Sequence, residues 1–293
     1  MAKIKKEGEI LSTFSPAVRI YGISTNDGPA IQTFRNKLFS FWNMSGKDGI
    51  FFATFQNNVW SFQQRIPSWQ SNHGPAMAVF NDRLYGAWKG HDIDGVLIAL
   101  HDRGVFTNPI RIPRSATNKA PALATFQGKL HIIWNGLRNE GIFHATLDGQ
   151  SFSGVGRINR NESDESPTLA VFGDRLFAAW KEKGGSAIWF SQFNGSTWST
   201  AQRAGLFGTN SGPTLASFRD PQNPEVERLF LSWRGSDDGR IFLASFRGDR
   251  WTDQHRTPFK SKSPAGMAQF RDKLFLIWDA DNADGIFFST MTP

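Results

Sequence analysis

Four kinds of side chain recur along this chain at a spacing that would repeat one binding site several times. An arginine follows an aromatic residue by five positions in six repeats: Arg19, Arg65, Arg111, Arg157, Arg203 and Arg256. A tryptophan ends an apolar run in each repeat: Trp42, Trp88, Trp134, Trp180, Trp233 and Trp278. Six positions after it come Asp48, Asp94, Glu140, Ser186, Gly239 and Asp284, with Asp238 one place earlier in the fifth repeat. Each repeat also has a small residue directly before a proline, and a polar residue lies two positions before that small residue: Asn26, Asn72, Asn118, Asp164, Asn210 and Ser261.

An indole, a carboxylate, an amide and a guanidinium are together well suited to a sugar. The C–H face of a sugar ring stacks on an indole, while hydroxyls accept hydrogen bonds from arginine and donate them to a carboxylate. Each position also has a structural alternative: the tryptophans pack the core, the arginines pair with the acids, and the asparagines form turns. A repeated site would make binding multivalent, with avidity about 10²–10⁴-fold above single-site affinity.

The period of the repeat indicates which elements carry these residues. The first four tryptophans lie 46 residues apart, and the next gap is 53 because seven extra residues occur around Pro221–Glu227. Fixed periods of 20–50 residues are typical of solenoids, propellers and arrays. In the second repeat, strands are expected at 75–80, 83–88 and 96–100, with a fourth that ends at Ile112. Each unit is therefore expected to be four antiparallel strands, here called A to D.

The two ends of the chain predict that the array closes on itself. The sixth unit stops after its strand C, whereas Phe14 and Arg19 near the N-terminus have the spacing of a strand D. A ring closed in this way leaves no unpaired edge. We therefore predict an all-β, six-bladed β-propeller of one domain, 1–293, whose N-terminal strand closes the last blade. The expected blades are about 21–66, 67–112, 113–158, 159–204, 205–257, and 258–293 with 8–20.

Strand direction places the four recurrent positions on one face, which we call the top. The opposite face carries cations at the start of strand B, which are either solvated turn charges or an anion-binding ring: Lys37, Arg83, Lys129, Arg175, Arg228 and Lys273.

Composition narrows the function classes. The net charge is +7 and 14% of residues are aromatic, but most rings fall inside strands, which argues against nucleic acid as a partner. The chain has no run of 18 apolar residues, so no membrane insertion is expected. It has no cysteine and no apolar stretch after Met1, which favours a cytoplasmic protein or export by a leaderless route.

No cofactor or metal is expected, although Asp279–Gly285 partly resembles a calcium loop. Self-association as a homodimer stays open.

A resemblance to sialidases occurs in one hairpin between strands C and D. Ser191, Gly195, Thr197 and Trp198 match the Asp-box pattern Ser-x-Asp-x-Gly-x-Thr-Trp, while Phe193 takes the place of the acid. Such a box is a folding turn away from the catalytic face. The family uses a tyrosine nucleophile, and Tyr21 near the top face is the candidate that the resemblance would imply.

The whole plan most resembles the six-bladed β-propeller lectins of fungi and bacteria, in particular the fucose-binding group. That resemblance implies ligands between adjacent blades, each held by an arginine, an acid and aromatic rings. The acid is missing or shifted in blades 4 and 5, so fewer sites than blades are expected. The predicted function is a multivalent lectin whose partners are glycans or glycoproteins. The alternatives are a protein-interaction scaffold and a sialidase-like glycosidase.

Overall fold

Six four-stranded antiparallel sheets follow one another along the chain. The computed structural model describes residues 13–20, 25, 27–44, 49–158, 161–252, 254–281 and 284–293. Strand A of each blade contacts strand A of the next, and the sixth contacts the first, so the sheets form a closed ring with strand D outermost. The predicted six-bladed, all-β propeller is confirmed.

The strands have similar lengths in every blade. Strands A are Ala30–Phe34, Ala76–Phe80, Ala122–Phe126, Thr168–Phe172, Thr214–Arg219 and Gly266–Phe270. Strands B are Lys37–Asn43, Arg83–Lys89, Lys129–Asn135, Arg175–Lys181, Glu227–Arg234 and Lys273–Asp279. Strands C are Gly49–Gln56, Val96–Asp102, Ile142–Leu147, Ala187–Phe193, Arg240–Phe246 and Ile286–Met291. Strands D are Gln64–Gln70, Ile110–Arg111, Gly156–Arg157, Gln202–Gly208, His255–Lys260 and Val18–Arg19. Short strands Val59–Trp60 and Val105–Phe106 extend two C–D hairpins, and Leu137–Asn139 form a 3₁₀ turn.

The N-terminal segment closes the ring as predicted. Arg19 lies opposite Phe287 in an antiparallel pair with the last strand of the chain. The backbone N–H of Ser15 donates to the carbonyl of Thr290 at 2.8 Å, and the Phe14 ring packs edge-on against Phe259 at 5.5 Å. The closing segment therefore contributes both backbone pairing and core packing to the sixth blade.

The core lies between the blades. Strand B is almost fully buried in each blade, because both faces of its sheet are covered by neighbouring blades. One aliphatic side chain from each strand A points to the middle of the ring, and together they narrow the central channel: Ile31, Met77, Leu123, Leu169, Leu215 and Met267. No helix in the described part of the chain is long and apolar enough to cross a membrane.

Candidate functional site

The six repeated tryptophans are core residues. Each is at most 2% exposed. Trp233, for example, lies between the rings of Phe207 at 4.4 Å and Phe242 at 5.7 Å, both nearly parallel to it. Trp88 stacks on Trp69 of the preceding blade at 4.5 Å. The indole faces are thus occupied by protein, which corrects the expectation that they stack on a sugar: Trp42, Trp88, Trp134, Trp180, Trp233 and Trp278.

The residue after each tryptophan is buried, or partly buried in the case of Arg234, and in two blades its partner is the predicted amide or acid. Lys181 donates to Asp164 Oδ1 at 2.6 Å, and Arg234 donates to Asn210 Oδ1 at 2.7 Å. Arg234 also donates through Nε to the carbonyl of Ser261 in the next blade at 2.7 Å. Asp164 and Asn210 therefore stabilise the top loops. Asn72 and Asn118 are exposed, while Asn26 lies outside the described residues.

A buried hydroxyl precedes the amide position, and the sequence reading missed it. Thr209 Oγ1 donates to the carbonyl of Arg234 at 2.8 Å, and Ser261 Oγ donates to the carbonyl of Asp279 at 3.0 Å. The same hydroxyl recurs in every blade: Thr25, Ser71, Thr117, Ser163, Thr209 and Ser261. Ser261 is thus the equivalent of Thr209 and not of Asn210, because Pro264 lies one residue farther from strand A than the prolines of the other blades, while the loop has the same length.

Blade 6 inverts the charges of this loop pair. Lys262 stands where blade 4 has Asp164, and Asp279 stands where it has Lys181. Burial raises the pKa of Asp279 to about 6; Lys262 opposes this effect, while Asp284 and Asp27 add to it. The Asp279 side chain is 2% exposed, so it is a buried acid near the junction of blades 6 and 1.

The strand D arginines lie on the outside of the top face, and three of them cover a glycine. A methyl group built on Gly49 would lie 2.7 Å from Nε of Arg65, and one on Gly95 would lie 2.6 Å from Nε of Arg111. Arg157 covers Gly141 in the same way, and its Cζ lies 5.9 Å from the Phe143 ring centroid. A larger residue at the glycine would displace the guanidinium, so the glycine sets the position of the arginine.

The acid of the predicted site is the residue directly before this glycine. The acid–glycine pairs are Asp48–Gly49, Asp94–Gly95, Glu140–Gly141 and Asp284–Gly285. The side chains of Asp94, Glu140 and Asp284 are exposed, and Asp48 lies outside the described residues. The backbone of this position is fixed to the following blade, because the carbonyl of Asp94 accepts the N–H of Thr117 at 2.9 Å. The acid position therefore lies at a blade junction.

Blades 4 and 5 depart from this arrangement. In blade 5 the guanidinium of Arg256 is bound to Asp238 at 2.6 Å, and Arg240 lies 3.2 Å from the same carboxylate. The backbone N–H of Arg240 and the Arg256 guanidinium hold the pKa of Asp238 below its usual range. In blade 4, Ser186 and Ala187 replace the acid–glycine pair beside Arg203. Arg19 of the closing strand is exposed opposite Phe287.

The centre of the top face holds a small cavity of about 190 Å³. Its wall is mostly the backbone before strand A, and it includes one carboxylate, Asp27. Burial acts to raise the pKa of Asp27, but His73 and the backbone N–H groups of Gly74 and Gly28 outweigh burial and lower it. Asp27 Oδ2 accepts the N–H of Gly74 at 2.7 Å, so this carboxylate joins blade 1 to blade 2.

The Asp-box-like hairpin is a structural turn. Asn194 Oδ1 accepts the N–H groups of Ser196 and Thr197, both at 2.9 Å, while the Phe193 ring packs against Trp198. Asn194 thus takes the hydrogen-bonding role that is expected of the aspartate in an Asp-box turn. The nucleophile candidate Tyr21 lies outside the described residues, and no group of three or more potential metal ligands occurs within them.

Comparison with known proteins supports the fold. No protein-family profile and no curated protein matches the chain. Among solved structures, it resembles a Penicillium chrysogenum α-L-arabinanase complexed with arabinobiose: TM-score 0.70, 13% identity, 96% of this chain and 98% of that one. It also resembles the SapL1 lectin in complex with α-methyl fucoside: TM-score 0.66, 12% identity, with 91% and 92% covered. A Hadza microbial sialidase, Hz136, has TM-score 0.65 at 14% identity over 90% of this chain, which spans 65% of that protein's length. These neighbours share the propeller fold and include both sugar-binding proteins and glycosidases.

Proposed function

We propose that the protein is a multivalent carbohydrate-binding lectin whose sites lie at the strand D arginines. The observation that carries the proposal is the exposed guanidinium of Arg111, which covers Gly95 directly beside the exposed carboxylate of Asp94. Arg157, Gly141 and Glu140 repeat this unit in blade 3. Each unit offers fixed donors on the guanidinium and an acceptor on the residue next to the covered glycine, the two kinds of partner that sugar hydroxyls require.

The Arg111 site is well positioned before any ligand arrives. Arg111 Nη2 donates to the carbonyl of Ser115 at 3.0 Å, and this bond fixes the guanidinium while leaving its other N–H groups for a ligand. No ion pair between Arg111 and Asp94 occurs among the described residues, so neither charge is consumed by the other. Hydrogen bonds to charged groups contribute about 1.5–3 kcal/mol each, so one such site would bind weakly and repetition would supply the avidity.

The proposal sets the number of sites at four, one for each acid–glycine pair (Asp48, Asp94, Glu140 and Asp284). Blade 5 is excluded because Asp238 already binds the guanidinium of Arg256 at 2.6 Å. Blade 4 is excluded because it has neither the acid nor the glycine. This distribution favours a lectin with several outer sites over a protein with one central site, since the arginines lie on six separate outer strands.

A glycan array followed by titration tests the proposal. We expect binding to a subset of glycans, inhibited by a free monosaccharide. Arg111→Ala is expected to weaken binding to the array by about tenfold through lost avidity without lowering the melting temperature. Arg256→Ala is the matched control, because its guanidinium already belongs to an internal ion pair, and it is expected to leave array binding unchanged. Silence across the array at high protein concentration would reject the lectin.

A glycoside hydrolase is the second candidate, and Asp279 is the observation that favours it. A buried carboxyl that keeps its proton near pH 6 has the property of a general acid. Steady release of a reporter aglycone from a glycoside panel, abolished in Asp279→Asn, would establish hydrolysis. Aglycone release that persists in that variant would leave Asp279 as a structural partner of Lys262.

A further inference from the structure

The seven-residue insertion in blade 5 folds against blade 4 on the face opposite the candidate sugar sites. It forms an ordered turn in which the N–H of Asp220 donates to the carbonyl of Val226 at 2.9 Å. Glu227 Oε2 then accepts the N–H of Gly173 from the neighbouring A–B turn at 3.1 Å, and it lies 3.5 Å from Arg219. The carboxylate of Glu227 therefore stabilises the insertion through both contacts.

Beside this insertion two arginines lie next to each other without an acid between them. Leu229 pairs with Phe246 across strands B and C, which brings Arg228 opposite Arg247. In blade 2 the equivalent register brings Arg83 opposite Asp102, and the two form an ion pair at 3.5 Å. The partner of the strand B cation is neutral or acidic in the other blades: Gln56, Asp102, Asp148, Asn194 and Thr292. Blade 5 alone opposes two cations there, an arrangement that is destabilising by itself.

The two arginines border a crevice of about 390 Å³. Its floor is formed by the rings of Phe172 and Phe246, whose centroids lie 6.2 Å apart, and Val226 closes one side. Ser245 and Glu227 also line the crevice, and the charge of Glu227 is partly offset by the N–H of Gly173 and by Arg219. Within the described residues neither Arg228 nor Arg247 has a side-chain hydrogen bond or ion pair. Two unpaired guanidinium groups above an aromatic floor are complementary to an anion that carries an apolar body.

We propose that this crevice is a binding site for a small organic carboxylate, with the carboxylate between Arg228 and Arg247 and the apolar part against Phe172 and Phe246. The ligand would supply the negative charge that Asp102 supplies in blade 2. The site lies on the opposite face from the candidate sugar sites and uses none of their residues, so it stands or falls independently of the lectin proposal.

Fluorine NMR titration with 4-fluorobenzoate tests the site, and 4-fluorobenzyl alcohol serves as the neutral probe of similar size. We expect saturable binding of the carboxylate alone. Arg247→Gln and Arg228→Gln are each expected to weaken it by about tenfold or more, because each removes a charge-assisted pair. Lys129→Gln, which removes a cation of the same ring in blade 3, is the matched control and is expected to have no effect.

A second variant separates binding from folding. Arg247→Asp restores the arrangement of blade 2, so it is expected to raise the melting temperature in the absence of carboxylate and to abolish the titration. Three results would overturn the proposal. They are absence of saturation with 4-fluorobenzoate, equal binding of the neutral alcohol, and equal weakening by Lys129→Gln, which would indicate a diffuse charge effect.

Discussion

Two stacked histidines between blades 3 and 4 should make the fold sensitive to mild acid. His131 Nδ1 lies 2.9 Å from His144 Nε2, and Trp198 donates to His144 Nδ1 at 3.3 Å. The Nδ1 atom of His144 is therefore an acceptor, and its Nε2–H donates to His131. Both rings must be neutral in this arrangement, and they pack against the Phe193 ring. Burial lowers the pKa of His131 to about 4, and burial together with His131 lowers that of His144 to about 3.

These values give the direction and size of the effect. An unfolded histidine takes up its proton near pH 6.5, whereas the folded pair stays neutral until about pH 4. The unfolded state therefore binds more protons in this range, and stability falls as the pH is lowered from 7 to 5. At pH 5 each histidine lies about 1.5 pH units below its unfolded pKa, which corresponds to about 2 kcal/mol. The pair is coupled, so a total loss of about 2–4 kcal/mol is expected.

Urea unfolding at pH 7, 6 and 5 measures this loss. The double variant His131→Phe/His144→Phe is expected to retain the packing but to lose most of the dependence on pH. His91→Gln, which alters a partly buried loop histidine away from the pair, is the control and should keep the slope of the wild type. The reasoning is refuted if the unfolding free energy of the wild type changes by less than about 1 kcal/mol between pH 7 and pH 5. It is equally refuted if the double variant keeps the full slope.

Three further substitutions probe the site, the buried acid and the ring closure. Gly95→Ala should displace Arg111 and weaken sugar binding about as much as Arg111→Ala, while the unfolding free energy changes by less than about 1 kcal/mol; sugar titration and thermal melting measure the two effects. Asp279→Asn should stabilise the protein by about 1–3 kcal/mol at pH 8, by about half as much at pH 5 and hardly at all at pH 3.5, because the unfolded carboxyl ionises above 3.8 whereas the folded one keeps its proton until about pH 6; unfolding at the three pH values would show it. Phe14→Ala should cost about 1–3 kcal/mol, since a partly buried ring is lost from the closing segment; an unchanged melting temperature would contradict the packing described.

The ring and its closure followed from the sequence because they depend on strand order. A fixed period required repeated units, and a strand D missing at the C-terminus but present at Arg19 required closure. Both inferences rest on the spacing of residues along the chain, and this spacing determines the order of the strands in the folded ring. The insertion near Pro221 was likewise located correctly, but its effect on Arg228 and Arg247 depended on strand register, which spacing alone does not give.

The candidate site was predicted less completely, because spacing does not show which way a side chain points. The tryptophans fell on a strand covered on both faces, so a ring that could stack on a sugar stacks on Phe207 or Trp69 instead. Asn210 accepts a hydrogen bond from Arg234, and such a contact between residues distant in the sequence cannot be read from spacing. The proline of blade 6 lies one residue farther from strand A, and this shifted the alignment, so Ser261 was assigned to the wrong position. The glycine under Arg65, Arg111 and Arg157 was visible in the sequence as part of an acid–glycine pair, but its reason is steric and appears only in three dimensions.

Native mass spectrometry with a monosaccharide selected from the glycan array tests the central claim most directly, because it counts bound sugars on each chain. The account predicts four bound sugars on the wild type, one for each acid–glycine pair (Asp48, Asp94, Glu140 and Asp284). It predicts one fewer for Arg111→Ala and no change for Arg256→Ala. A single bound sugar on the wild type that survives Arg111→Ala would contradict the account, since it would place recognition away from the strand D arginines.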